Sequence, residues 1–209
     1  AEGIKTKKII VADDIASASE AEKLKRRGIA GMIFVFKIAG AIAETRASLD
    51  EVFKTTSEAN NNIRTLGVAL SPCILPEAGK PTFEIGSDEI EIGMGIHGEP
   101  GIKREKLKPA NELVDDLYKR IINDSKISEN DTIAVMINSL GATPLEELYI
   151  VSKRLTENFS KSKINKIKTY VGRYATSMEM AGFSITAIKL NDNLSKFLFA
   201  DSECPFWTK

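Results

Sequence analysis

The stretch Glu89 to Gly101, EIEIGMGIHGEPG, carries the only histidine of the 209-residue chain, set between glycines. Read as a strand of period two, it puts Ile90, Ile92, Met94 and Ile96 on one face. Glu89, Glu91, Gly93, Gly95 and His97 fall on the other. One face builds a core. The opposite face is bare backbone at two alternate positions, and glycine in a strand marks close approach by a ligand or another backbone. His97 stands at the end of that track, and Gly98, Pro100 and Gly101 then turn the chain. His97 is therefore the candidate catalytic residue, with Gly95, His97 and Gly98 as candidate substrate-binding positions. A histidine that ends a strand can equally satisfy a turn hydrogen bond, and spacing alone does not choose between the two. No second histidine exists, and neither Cys73 nor Cys204 is at ligand spacing from His97, so no metal site is expected. No G-x-S-x-G elbow is present to supply a serine nucleophile.

Two further stretches bear on phosphate. In NSLGATPLEE (Asn138 to Glu147), a glycine loop follows a buried run and opens a helix. Thr143 is the expected N-cap, Pro144 the first helical residue and Glu146 the partner in a capping box. Such a helix start can hold an anion, and it can also be simply a well-capped helix. In EAGKPT (Glu77 to Thr82), Ile74 stands where a P-loop needs glycine, and Pro81 stands where it needs Ser or Thr. No nucleotide fingerprint is present, so the chain is expected to hold no cofactor of its own.

The elements that must position these residues read as an α/β (α+β) chain. Lys8 to Ala12 is expected as a short strand ended by Asp13 and Asp14, with Ser17 or Ser19 capping a helix that runs to Arg27. Ile29 to Phe36 is a near-continuous apolar run, expected as a strand covered on both faces. Ala39 to Glu44 and Leu49 to Ile63 read as helices, the second capped by Ser48. From Leu66 the pattern gives six strands: Leu66 to Pro72, Thr82 to Ile85, Ile90 to Ile96, Thr132 to Asn138, Lys168 to Arg173 and Phe183 to Leu190. Helices Asn111 to Asn123 and Pro144 to Phe159 interrupt them, the first with Leu113, Leu117, Tyr118 and Ile121 on one stripe. The expected architecture is a mixed six-stranded sheet with helices mainly on one face, preceded by the end of a parallel α/β domain. The division falls between residues 1–62 and residues 63–209.

Composition narrows the functional classes. Lys plus Arg and Asp plus Glu are 29 each, so the net charge is zero. Direct nucleic-acid binding, which draws on a basic excess, is not expected. The longest apolar run, Ile29 to Ile42, is broken by Gly31, Lys37 and Gly40, short of the ~18 uninterrupted residues of a membrane span. Residues 1–8 are charged and do not resemble a signal peptide. Two distant cysteines suit reduced thiols and a cytoplasmic protein. The chain opens on Ala1 with a charged lead into apolar residues, and it is expected to belong to a longer polypeptide.

Four stretches together resemble the dihydroxyacetone kinase family, in its substrate-binding subunit. They are RRGIAGMIFVFKIAGAIAE (Arg26 to Glu44), GVALSPCILPEAGKPTFEIG (Gly67 to Gly86), EIGMGIHGEPG (Glu91 to Gly101) and TSMEMAGFSIT (Thr176 to Thr186), supported by NSLGATPLEELY (Asn138 to Tyr149). The resemblance implies a homodimeric, two-domain subunit: a parallel α/β layer, then a mixed six-stranded sheet. It implies that His97 binds the carbonyl of dihydroxyacetone covalently, as a hemiaminal. The family's other catalytic residues, an aspartate and a second histidine, lie in the first domain and match nothing here. The phosphate comes from a partner subunit or appended domain that holds ATP or ADP with Mg, so the isolated chain is expected to be inactive. Ser17, Phe36 and the ending Cys204 to Lys209 depart from the usual kinase pattern. Some family members bind dihydroxyacetone without being kinases and act as transcriptional co-activators with a transcription factor partner, which is the alternative reading.

Overall fold

The structure, a computed structural model, describes residues 2–77, 79–96, 99–205 and 207. Six strands form one mixed sheet: β1 (Ile63–Ala69), β2 (Glu89–Ile92), β3 (Lys103–Lys106), β4 (Thr132–Ser139), β5 (Asn165–Gly172) and β6 (Gly182–Leu190). Their order across the sheet is β3-β2-β1-β6-β4-β5, antiparallel throughout except for the parallel pair β4–β5. The helices are α1 (Met32–Glu44), α2 (Leu49–Asn61), α3 (Ala110–Ser125), α4 (Leu145–Lys161) and α5 (Asp192–Leu198), with a 3₁₀ turn at Glu20–Lys25.

The mixed six-stranded sheet is as the sequence implies, but helices cover both of its faces rather than mainly one. β4 shows why. Ile133, Val135 and Ile137 pack with Leu117, Leu148 and Leu155 of α3 and α4. Ala134 and Met136 pack with Phe34, Ile38, Leu194 and Phe197 of α1 and α5. A strand buried on both faces reads as a continuous apolar run and does not report which elements cover it. Part of the second layer comes from the run expected to be a strand. Ile29 to Phe36 enters α1, whose buried Phe34, Val35, Ile38 and Ile42 keep helical spacing. A short apolar run does not distinguish a strand from a buried helix.

Other differences have local causes. Lys8 to Ala12 forms no strand, and the pairing falls two residues later, at Asp14 against Thr65. Thr82 to Ile85 is not a strand. The sixth strand is instead β3, whose charged, largely exposed KREK sequence suits a sheet edge. Ser48 does build the capping box with Glu51 that starts α2. At α4 the cap residue is Pro144 and no capping box forms. Thr143 is buried and its Oγ1 accepts the Gly182 amide at 2.7 Å.

An ion-pair cluster ties the chain before α1 to the sheet and to α3. Arg26 donates to both Asp124 oxygens (2.7 and 2.6 Å), and Arg64 donates to Asp124 Oδ1 at 2.5 Å. Burial works to raise the Asp124 carboxyl, but hydrogen bonds and charge from Arg26 and Arg64 outweigh it and hold it below the usual range. A lowered folded-state pKa gives stability that is present above the unfolded value, near ~3.9, and is lost as pH falls toward the folded one. Asp124→Ala leaves the fully buried Arg26 side chain without its main partner. It is expected to lower unfolding free energy by about 3 kcal/mol in urea titrations at pH 7, and by less at pH 3.

Candidate functional site

One edge of β1 is shared by two segments. Along its first half, the Thr65 amide donates to the Asp13 carbonyl at 2.8 Å, and the Ile15 amide donates to the Thr65 carbonyl at 3.1 Å. Along its second half, Val68 and Ala69 pair with Ile92 and Glu91 of β2. The segments meet at Gly93, whose amide donates to the Gly67 carbonyl at 2.8 Å. Gly93 has φ +75°, and a Cβ there would lie 2.3 Å from the Ala16 Cβ. Only glycine lets β2 end against this neighbour. The strand period therefore stops at Ile92. Ile90 and Ile92 face the α3–α4 layer, whereas Met94 turns into a separate cluster with Ala69, Cys73, Leu140 and Met180.

Arg27 spans this seam. Its Nε donates to Asp14 Oδ2 at 2.8 Å, and its Nη2 donates to the Gly93 carbonyl at 2.8 Å. Asp14 Oδ1 accepts the Ala16 amide at 3.0 Å. Ser17 Oγ donates to the Asp14 carbonyl and accepts the Arg27 amide, both at 2.9 Å, so it helps hold Asp14 and Arg27 together. Asp13 points the other way. Its carboxylate accepts the amides of Ile29 (2.8 Å) and Gly31 (2.7 Å) where α1 begins. The positive end of the helix favours an acidic group there. Burial pushes both carboxyls above their ordinary range; at Asp13 the Thr65 hydroxyl opposes this, and at Asp14 the Arg27 charge does.

Beyond Gly93 the chain enters the segment that carries the candidate histidine. The Gly95 amide donates to the Glu99 carbonyl at 3.1 Å. The Gly101 amide donates to Glu91 Oε1 at 3.0 Å, and the Ile102 amide donates to the Ile92 carbonyl at 2.9 Å. The returning flank is thus tied to β2, and Gly95 is tied to Glu99. A Cβ on Gly95 would lie 2.1 Å from Glu99 Oε2 and 2.9 Å from Arg27 Nη1, so these two side chains occupy the space over Gly95. Of the three candidate site residues the structure describes Gly95; His97 and Gly98 lie outside the described residues.

The second candidate, the glycine loop before α4, turns its polar groups inward. The Gly141 amide donates to Ser139 Oγ, which itself donates to the Thr143 carbonyl; the amides of Leu140 and Ala142 donate to the Gly182 and Met180 carbonyls. Those donors are already committed, so the loop fits a buttress between α4 and β6 better than an anion cradle. Sequence reasoning assigned no role at the site to Arg27, Asp14 or Ser17. Arg27 lies 66 positions from Gly93, and no local spacing rule joins residues that far apart.

Residues 1–206 match the Dak1 domain family. The chain belongs to this family. The dihydroxyacetone-binding subunit of the PTS-dependent dihydroxyacetone kinase 1 of Listeria innocua is 47% identical over 192 residues, 92% of this chain and 58% of that protein. The native dihydroxyacetone kinase of C. freundii superposes with a TM-score of 0.84 at 33% identity, over 96% of this chain and 36% of that one. The dihydroxyacetone kinase operon co-activator superposes with a TM-score of 0.86 at 32% identity, over 94% of this chain and 60% of that one. This Dak1 chain spans less than two thirds of the length of each of these relatives.

In the Dak1 chain the seam leaves no room for a side chain at Gly93. Gly93→Ala imposes both a left-handed backbone on alanine and a collision with Ala16. It is expected to destabilise the protein by about 2 kcal/mol or more, seen as a lower urea midpoint with an unchanged slope.

Proposed function

We propose that the protein to which this chain belongs binds dihydroxyacetone and presents it for phosphorylation by a nucleotide-bearing partner subunit or domain, where ATP or ADP and Mg would sit. The observation that carries this reading is the family match over residues 1–206, together with 47% identity to a relative named as a dihydroxyacetone-binding subunit. His97 is the proposed point of covalent attachment, with Gly95 and Gly98 as its backbone frame. A neutral imidazole nitrogen adds to the ketone carbon. The carbonyl π pair moves to oxygen, and the proton of the other ring nitrogen is transferred overall to that oxygen. The product is a neutral hemiaminal. Glycerol has no carbonyl and cannot form this bond, so selection rests on reaction as well as fit. The reading divides the protein between residues 1–62, as the close of a first, parallel domain, and residues 63–209, as the second. It places the protein in the cytoplasm; among the described residues no helix is long and apolar enough to cross a membrane. A homodimer rests on the family resemblance alone, because α1 and α5 cover the sheet face that was expected to be open.

The likeness to the operon co-activator supports a second reading, a dihydroxyacetone-binding protein that partners a transcription factor and lacks kinase activity. Turnover separates the two. The full-length protein mixed with a nucleotide-bearing kinase subunit phosphorylates dihydroxyacetone under the first reading and does not under the second. The chain of residues 1–209 alone is expected to show no turnover with ATP and Mg, and measurable turnover would overturn that.

Carbon-13 NMR with dihydroxyacetone labelled at the carbonyl tests the attachment. The wild type is expected to show a hemiaminal carbon, and His97→Ala and His97→Asn are expected to lose it while keeping the fold. The attacking nitrogen must be unprotonated, and free imidazole titrates near ~6.5, so adduct should decline as pH falls through the histidine's own titration. An unreacted carbonyl in an occupied wild-type site would remove the covalent mechanism.

A further inference from the structure

The proposal that follows rests on the reading of His97 as the attachment point and adds a residue to it. The loop that carries His97 leaves β2 at Gly93, a position with no side chain to anchor it. Its amide is held by the Gly67 carbonyl, and its carbonyl is held by Arg27. Nη2 takes the Gly93 carbonyl at 2.8 Å, and Nη1 lies 2.9 Å from where a Cβ of Gly95 would be. One guanidinium therefore braces the first residue of the loop and covers the next glycine. The guanidinium is itself fixed, because Nε and Nη2 lie 2.8 and 2.7 Å from Asp14 Oδ2, and the Asp14 side chain is 1% exposed. Asp14 is held in turn by the Ala16 amide and the Ser17 hydroxyl. The chain of contacts runs from a rigid, buried carboxylate through a planar fork to the backbone of the glycine loop. Its geometry suits arginine: a lysine ammonium is a point charge and cannot reproduce the fork.

We infer that Arg27 is a positioning residue for the attachment at His97: braced on Asp14, it fixes the backbone at Gly93 and covers Gly95, the residues that lead into the histidine. Without it, Gly93 and Gly95 keep only their amide bonds to the Gly67 and Glu99 carbonyls, and glycine has wide conformational freedom once a restraint is lost. Loss of the brace then shows as weakened capture, without loss of the fold.

The test uses the full-length protein with Arg27→Gln, Arg27→Lys and, as a comparison, Asp115→Asn. The last breaks the Arg154 ion pair between α3 and α4, away from the seam. Three quantities are measured: thermal midpoint, hydrogen exchange of the Gly95 amide, and the hemiaminal carbon as dihydroxyacetone is titrated. Arg27→Gln is expected to speed Gly95 exchange and to weaken adduct formation by about tenfold or more, as for loss of a hydrogen bond to a charged group. Arg27→Lys is expected to fall between it and wild type. Asp115→Asn is expected to lower the midpoint while leaving both loop measurements unchanged. Unchanged exchange in Arg27→Gln overturns the proposal, and so does wild-type adduct formation in that variant. If the wild type itself forms no adduct, it is the His97 reading that fails. Arg27 is then judged on exchange alone: faster exchange supports its role in ordering the loop, and unchanged exchange rejects it.

Discussion

Every backbone amide and carbonyl along a buried strand needs a partner, and β1 meets that need with two segments on one edge. Neither segment is long enough to serve the whole strand. Residues 13–15 pair at Thr65, β2 pairs at Val68 and Ala69, and the Gly93 amide closes the gap at Gly67. The rest of the site follows. Two segments that share an edge must meet end to end, so one of them has to turn away within a residue of the other. Ala16 stands where the side chain of residue 93 would go. Glycine is thus required by the sheet itself, before any ligand is considered. The segment that departs there starts from a residue with no side chain, and the Asp14–Arg27 pair adds a hold on its carbonyl.

The same edge ties the site to the buried polar row on the α1 side of the sheet. Asp13 receives the Ile29 and Gly31 amides, and Thr65 Oγ1 lies 2.8 Å from Thr186 Oγ1 across the β1–β6 pair. One strand further, Asn138 donates to the Ser184 hydroxyl and the Ala175 carbonyl and accepts the amides of Tyr174 and Ala175. A one-residue slip of β1 would turn Thr65 to the opposite face and leave Thr186 without its partner in a buried layer. The polar row therefore fixes the register that puts Asp14 and Gly93 within reach of one guanidinium.

What the sequence disclosed and what it withheld divide along physical lines. β4, β6, α3 and α4 were legible because their patterns are long and each is set by burial of its own side chains. The Ser48 cap of α2 was legible because its partners lie three residues apart. The run from Ile29 to Phe36 was not, since its exposed positions, such as Phe36, are apolar too and blur the period that separates helix from strand. β3 was missed because an edge strand has no buried face to record. His97 stood out because glycines frame it, yet the side chains that hold its loop could not be read. Arg27, Asp14 and Gly93 come together only when the sheet does, and no periodicity encodes a contact made by topology.

A nucleophile that works by adding to a carbonyl faces a stricter demand than a residue that only binds. Its lone pair must meet the carbon along a narrow approach, and small displacements cost rate steeply. Secondary structure would meet that demand, but a strand or helix would commit the residue's neighbours to side chains and crowd a small ketone. A glycine loop leaves room and gives up order. Under the proposed attachment at His97, Arg27 would resolve the conflict at Gly93 and Gly95 by separating the two tasks. Gly93 and Gly95 carry no side chain, and a guanidinium bound to a buried carboxylate reaches both of them from outside. Such a device rests the charge pair on a carboxylate that is 1% exposed. It also explains why burial of Asp14, costly taken alone, is retained: a carboxylate that no longer moves is the fixed point from which Arg27 can hold the loop.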